Sequence, residues 1–372
     1  MIILTRALIL TVSMVVPASA QSSFSAVSET GIQGGRQLKG LVTVEVQGKP
    51  LTKRFVIRTP SKWNGALVIG AHGGSGGDAI DRSGGVYGTS ETALDDVIGA
   101  YAFSNGFAYA SIDRDGVGGP VDGFRLTSQF ASAVRSELLA LASRAPQRAY
   151  IVGLSAGGAI TRMIAESRPA AFDGALIIAG AGGDVVTRLD RQQRMAALWP
   201  LIDPRAHSGL TDKDPRIVSY AGAIGTPVAA RRLWPYTGAS AVAAASRPPG
   251  TVAYSTARPS IPTIEVVGTW DDLVIREVRA YRDRVEPKDR HRLYQVEGVW
   301  HMSGDDDGVA GFQYAAESRM KLDRDVADAM GEGPSYIPIV REAFGYLVAW
   351  VGQGQGKAPP TSQTVMPNAR LR

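Results

Sequence analysis

Tyr150-Ile151-Val152-Gly153-Leu154-Ser155-Ala156-Gly157-Gly158-Ala159 is the stretch that decides how this chain is read. An apolar, β-branched run meets G-x-S-x-G, and a helix-like segment follows from Ala159 to Ser167. A serine on a tight strand-to-helix turn is forced into strained backbone geometry, with its hydroxyl exposed above the sheet. Glycines two before and two after it keep neighbouring side chains out of the crowded turn. G-x-S-x-G alone says little in a chain with 43 glycines. Bracketed by a strand and a helix, it makes Ser155 a candidate nucleophile.

Working outward, apolar runs alternate with helical patterns. Leu41 to Val46 and Arg54 to Arg58 read as a hairpin around Gly48-Lys49-Pro50. Ala66 to Ala71, Phe107 to Ile112, Arg148 to Leu154, Gly174 to Ala179, Ile264 to Val267 and Arg292 to Val296 read as further strands. Helices are expected over Ser90 to Ser104, Arg125 to Arg144, Val274 to Arg284 and Ile337 to Val351. Alternation of this kind predicts an α/β fold, a mostly parallel sheet with helices on both faces. It breaks over residues 183–262, which hold Trp199-Pro200, Trp234-Pro235-Tyr236 and an Ala-rich piece. An insertion there would sit over the carboxyl ends of the strands, where open α/β sheets bind ligands, and is expected to be a lid. A smaller insertion spans Ser303 to Ser335, and the Gly-, Pro- and Gln-rich tail 353–372 is expected to be disordered.

Residues 1–20 read as a secretory signal peptide. Arg6 supplies the positive region, Ala7 to Val16 is too short to span a bilayer, and Ala18-Ser19-Ala20 is a small-x-small cleavage signal. The domain is therefore expected to cover 21–352, in a protein that is secreted or periplasmic after cleavage at Ala20-Gln21. With no Cys in 372 residues, thiol catalysis, thiolate metal sites and disulfide scaffolding are excluded. No later apolar run is long enough for a membrane span. A formal charge of +5 without a nucleic-acid motif argues for a solvated basic surface and against a nucleic-acid partner.

The chain resembles an α/β-hydrolase from roughly Leu41 to Val351. Gly268-Thr269-Trp270-Asp271-Asp272-Leu273-Val274 matches that family's G-x-x-D-x-x-V after the penultimate strand, and Gly298-Val299-Trp300-His301-Met302 matches its histidine loop. The resemblance implies a triad of Ser155, Asp271 and His301, with Asp272 and Asp184 as rival acids and His72, His207 and His291 as the other histidines. It also implies an oxyanion hole built from the Ala156 N–H and the loop His72-Gly73-Gly74-Ser75, with Gly74 or Ser75 the second donor. The reaction implied is acyl transfer to water through acyl-Ser155, needing no cofactor and no metal. Asp305-Asp306-Asp307-Gly308 lacks the spacing of a calcium loop and reads as a solvated turn.

Around the elbow, Gly153 to Ala159 with Phe172-Asp173-Gly174-Ala175 is similar to secreted polyhydroxyalkanoate-depolymerase-like esterases, a group that includes poly(aspartic acid) hydrolases. Arg168 to Gly174 is similar to tannases and feruloyl esterases, which usually carry a Cys that this chain lacks. Arg188, Arg191 and Arg194 fall near one helical face, and Arg276, Arg279, Arg282 and Arg284 cluster beyond the acid loop. Read as a cationic track, they predict a polymeric or oligomeric acyl substrate that is polyanionic, with poly(aspartic acid) the sharpest candidate. Read as plain surface, they leave an aryl or feruloyl ester or a polyester, with Trp234 lining the substrate site. A non-catalytic binding module is the remote alternative, since no triad letter is missing. A face of the insertion that packs on a twofold mate keeps a homodimer open.

Overall fold

The Ser155 turn lies in the middle of a ten-stranded sheet. A computed structural model describes residues 22–74, 77–167, 171–245, 255–302, 308–353 and 358–371. The expected signal peptide and Ser75 lie outside these residues. Three antiparallel strands, β1 (Ser23–Ile32), β2 (Gly35–Val46) and β3 (Lys49–Pro60), form one edge. β4 (Ala66–Ala71) follows, then a small hairpin of β5 (Ala79–Ile80) and β6 (Val86–Gly88). β7 (Ala108–Ile112), β8 (Arg148–Leu154), β9 (Gly174–Ile178), β10 (Thr263–Gly268), β11 (His291–Val296) and β12 (Gln363–Val365) complete the main sheet. Its spatial order is β1-β2-β3-β7-β4-β8-β9-β10-β11-β12, parallel from β7 onward.

The helices are α1 (Ala100–Ser104), α2 (Pro120–Ala142), α3 (Ala156–Glu166), α4 (Val185–Leu198), α5 (Pro215–Ile224), α6 (Trp234–Ala245), α7 (Ile275–Arg284), α8 (Gly308–Tyr314), α9 (Arg324–Gly331) and α10 (Ile337–Gln353). β4 explains why its sequence reads as one apolar run. Leu67, Ile69 and Ala71 face the cluster built with Phe130 and Val134 of α2 and Ile160 and Ile164 of α3. Val68, between them, faces the opposite cluster with Phe344 and Leu347 of α10. Both faces are covered, so no polar alternation is left.

The expected helix Ser90 to Ser104 is broken into a 3-10 turn (Ser90–Thr92), a π-turn (Asp95–Gly99) and α1. The cause is local. The Arg58 guanidinium holds both oxygens of Asp95 at 2.7 Å, and the Leu94 carbonyl accepts from Ile98 at 3.0 Å and Gly99 at 2.9 Å, which widens the turn. α2 begins at Pro120, earlier than expected, because proline suits the first helical position.

The tail also departs from expectation. Residues 363–365 extend the sheet, the Ser362 hydroxyl accepts from Leu293 N–H at 2.9 Å, and Val365 and Leu371 are buried. Three tertiary anchors outweigh a composition that favours disorder. The first insertion holds α4, α5 and α6 around a core of its own that includes Trp199, Tyr220 and Trp234, and α8 and α9 make up the second. Among the described residues no helix is long and apolar enough to cross a membrane.

Truncation after residue 357 removes β12 and the burial of Val365 and Leu371. It should destabilise the fold by about 3 kcal/mol, at roughly 1.5 kcal/mol or more per buried aliphatic side chain. A urea midpoint unchanged from the full chain would show the tail to be dispensable.

Candidate active site

β8 ends at Leu154, and Ser155 caps α3 with φ 53° and ψ −115°, a conformation an L-residue holds only when its surroundings force it. Three contacts do so. Ser155 N–H donates to Ile178 O at 2.9 Å, and Ser155 O accepts from Ala159 N at 3.2 Å and Ala181 N at 3.0 Å. The flanking glycines are sterically required. A Cβ on Gly153 would overlap Gly157 O and Thr161 Oγ1, and one on Gly157 would overlap Ala71 O. This close approach sets the first turn of α3 directly against the end of β4 and the loop that follows it.

His301, from the loop after β11, places Nε2 2.8 Å from Ser155 Oγ and Nδ1 2.8 Å from Asp271 Oδ2. Asp271 and His301 are both buried. The other oxygen of Asp271 accepts from Leu273 N at 3.1 Å and Val274 N at 3.2 Å, so the carboxylate is fixed from both sides. The rivals have other partners. Asp184 caps α4 through Thr187 N at 2.7 Å and pairs with Arg284 at 2.8 Å. His207 bonds Pro200 O at 3.0 Å, and His291 lies 3.5 Å from Glu265. His72 bonds Gly73 O through Nδ1 at 2.9 Å and Ser90 Oγ through Nε2 at 2.8 Å. Burial, reinforced by the charge of Arg114, pushes its pKa down to about 3 and keeps it neutral.

A family described as an alpha/beta hydrolase domain matches residues 25–370. The chain belongs to that family. Among solved structures, vibralactone cyclase is 14% identical over 87% of this chain and 83% of its own, with a TM-score of 0.50. An esterase from Aspergillus oryzae is 12% identical, covering 78% of this chain and 81% of its own at a TM-score of 0.47. The rice cell wall degrading esterase of Xanthomonas oryzae is 13% identical over 81% and 95%, at 0.42. Identities this low speak to the fold alone. No curated protein matches the chain.

Two residues beside this hydrolase site hold roles that the sequence did not disclose: Arg114, and Asp272, which was expected only as a rival acid. Arg114, buried just after β7, donates to His72 O, to Gly73 O at 3.2 Å and to Gly74 O at 3.4 Å. In a trans peptide the N–H opposes the C=O. Drawing the Gly73 carbonyl toward Arg114 therefore turns the Gly74 N–H the other way. The loop runs close to the nucleophile, since a Cβ on Gly73 would lie 3.2 Å from Ser155 Cβ. Burial lowers the Arg114 pKa to about 10, which leaves it charged at neutral pH. Its signal was Asp113-Arg114 at a strand end, a position for which no motif was available.

Asp272 is the second. It is buried beside Asp271, and its oxygens accept from Trp300 Nε1 at 2.9 Å and from the Thr237 hydroxyl of α6. It thus ties the first insertion to the residue preceding His301.

The four expected substrate contacts, Arg188, Arg191, Arg194 and Trp234, take different places in the structure. Arg191 is buried and donates to Asp272 O at 2.7 Å, so it is a structural tie between α4 and the acid loop. Asp190 pairs with Arg194 at 2.9 Å and Arg276 at 3.1 Å. Arg188 is half-buried, and Glu277 lies in its field. Trp234 is 1% exposed, with its indole N–H on Thr226 Oγ1 at 3.2 Å, inside the core of the insertion. The aromatic rings near His301 are instead Phe312 at 5.6 Å and Trp300 at 6.2 Å, with Tyr236 5.4 Å from Phe312.

Two outcomes follow from this geometry. Arg114→Ala should lower kcat by about 10- to 100-fold with KM nearly constant, less than the loss expected for deleting an oxyanion donor outright; an unchanged kcat would remove Arg114 from the positioning of that loop. Asp272 bears on stability. Burial raises its pKa to about 6, with Asp271 adding and the Thr237, Trp300 and Arg191 contacts opposing. The folded chain then binds more protons than the unfolded one between the ordinary carboxylate value and 6, so stability falls as pH rises through that window. Asp272→Asn can accept from Trp300 and donate to Thr237. In urea titrations at pH 4 and pH 7 it should flatten a loss on the order of 2 kcal/mol.

Proposed function

We propose that the protein is an exported serine hydrolase that cleaves a carboxylic ester through an acyl-Ser155 intermediate. The observation that carries this reading is the run of two 2.8 Å contacts from Ser155 through His301 to Asp271, ending on a serine in strained backbone. His301 Nε2 takes the Ser155 proton as Oγ attacks the acyl carbon, and Asp271 stabilises the imidazolium. The N–H groups of Ala156 and Gly74 receive the negative charge that develops on the carbonyl oxygen. Collapse expels the alcohol, which leaves with the proton from His301. Water then repeats the sequence and releases the acid and free Ser155.

The first insertion, 183–262, acts in this reading as a cap. Its support is the contact of Thr237 with Asp272 and of Tyr236 with Trp300 and Phe312. The aromatic rings beside His301 favour an ester over a polyanionic amide, and Arg191, Arg194, Arg276, Arg279 and Arg284 of the expected track already hold partners in the protein. Export rests on Arg6, on Ala7 to Val16 and on Ala18-Ser19-Ala20.

A single preparation tests both parts. The full chain, expressed in a bacterial host and recovered from periplasm or medium, should have an intact mass beginning at Gln21. A fluorophosphonate should add once to it and not to Ser155→Ala. Hydrolysis of p-nitrophenyl butyrate should fall by about 10⁴-fold or more in Ser155→Ala. Parent-level turnover by that variant would refute the mechanism, and an intact Met1 terminus would refute export.

A further inference from the structure

A cleft of about 170 Å³ opens between the β5–β6 hairpin and α8, lined by Asp78, Ile80, Tyr87, Gly311, Tyr314 and Arg319, the Asp78 carboxylate being paired with Arg54. Both walls lead to the reacting groups. β5 begins five residues after Gly74, and α8 carries Phe312, whose ring lies 5.6 Å from that of His301. The hairpin is pinned to the second insertion by Arg82, which donates to Glu317 and to Asp328 Oδ1 at 2.5 Å. The two walls are thereby held apart by a fixed tie, and the space between them is preformed.

Gly311 is the telling residue. A glycine inside a helix costs about 1 kcal/mol relative to alanine. Here neither backbone nor packing asks for one: its φ is not positive, and a Cβ would meet only Ile80 O, at 3.8 Å. What the missing side chain does is leave room between α8 and β5. The volume suits one ring, since an apolar cavity of roughly 150 Å³ takes up benzene. Tyr87 and Tyr314 offer aromatic walls. Arg319 sits on the rim, its guanidinium 5.7 Å from the Tyr314 ring centroid. Among the described residues no carboxylate lies within ion-pair distance of Arg319, whereas Arg54 and Arg82 nearby are both paired.

We infer that this cleft is a substrate subsite for an aromatic ring bearing a carboxylate, with the ring between Tyr87 and Tyr314 and the carboxylate on Arg319. The inference rests on the reading of Ser155 as nucleophile and names the substrate class: an ester whose acyl or alcohol part is a single aryl carboxylate. Arginine suits the carboxylate because its planar fork gives two parallel N–H donors.

The test uses Ser155→Ala protein, so binding is read without turnover. Fluorine NMR titrations with 4-fluorobenzoate and the neutral 4-fluorobenzamide give the two affinities. Both probes should bind. Adding Arg319→Gln should weaken the benzoate at least fivefold and leave the benzamide unchanged, and Arg319→Lys should recover part of the loss. Gly311→Leu, checked by circular dichroism, should abolish binding of both. Absence of benzoate binding to Ser155→Ala, or equal benzoate affinity in Arg319→Gln, would overturn the assignment. If the parent protein proves inactive on esters, the nucleophile reading fails separately, and the binding data still decide the subsite.

Discussion

The contact on which the reacting end of this molecule depends is the one between Gly157 and the end of β4. With no side chain there, α3 closes onto the Ala71 carbonyl, and everything placed by that helix moves with it. Ser155 is thereby lifted into its strained conformation, and the Ala156 N–H becomes an unsatisfied donor at the helix start. The loop after β4 comes alongside, so the two proposed oxyanion donors, the N–H groups of Ala156 and Gly74, are set by one packing event. Helix and sheet are rigid, and the serine geometry inherits that rigidity.

A second theme concerns arginine. The chain carries 40 Lys and Arg against 35 Asp and Glu, an excess that invites a surface explanation. Much of the arginine does something else. Arg114 holds carbonyls of the loop after β4, Arg162 donates to Ala181 O at 2.6 Å behind the Ser155 turn, and Arg191 takes Asp272 O. Arg279 donates to Gly225 O at 2.9 Å and Arg276 to Ala223 O, both at the end of α5. These guanidiniums satisfy carbonyls at loop and helix ends where no ladder partner exists. Arg162 is fully buried and also meets Glu265 and the face of Tyr281, so its charge is balanced inside the core.

Legibility in the sequence followed the physics. The strands buried on both faces, β4 and β8 among them, were visible because burial leaves nothing but apolar residues. Ser155, Asp271 and His301 were visible because strand ends and short motifs mark them. β1 was not: it is Ser-rich, lies mostly exposed and slips register between Ser25 and Ser28, so it carries no period of two. Arg191 and Trp234 were misjudged because helical spacing gives a face without saying whether solvent or another helix covers it. Arg114 and Asp272 act through tertiary contacts 40 or so and 35 residues away in sequence, which no local pattern records.

The order of the triad along the chain has its own consequence. Ser155 and His301 are 146 residues apart, and Asp271 precedes His301 by 30. They meet only when β8, β10 and β11 lie in one sheet, a long-range arrangement whose loop-closure entropy must be overcome before its contacts form. Unfolded chain therefore carries an ordinary alcohol and a distant imidazole. The hydrolytic activity proposed for Ser155 is thus withheld from the unfolded chain by topology alone.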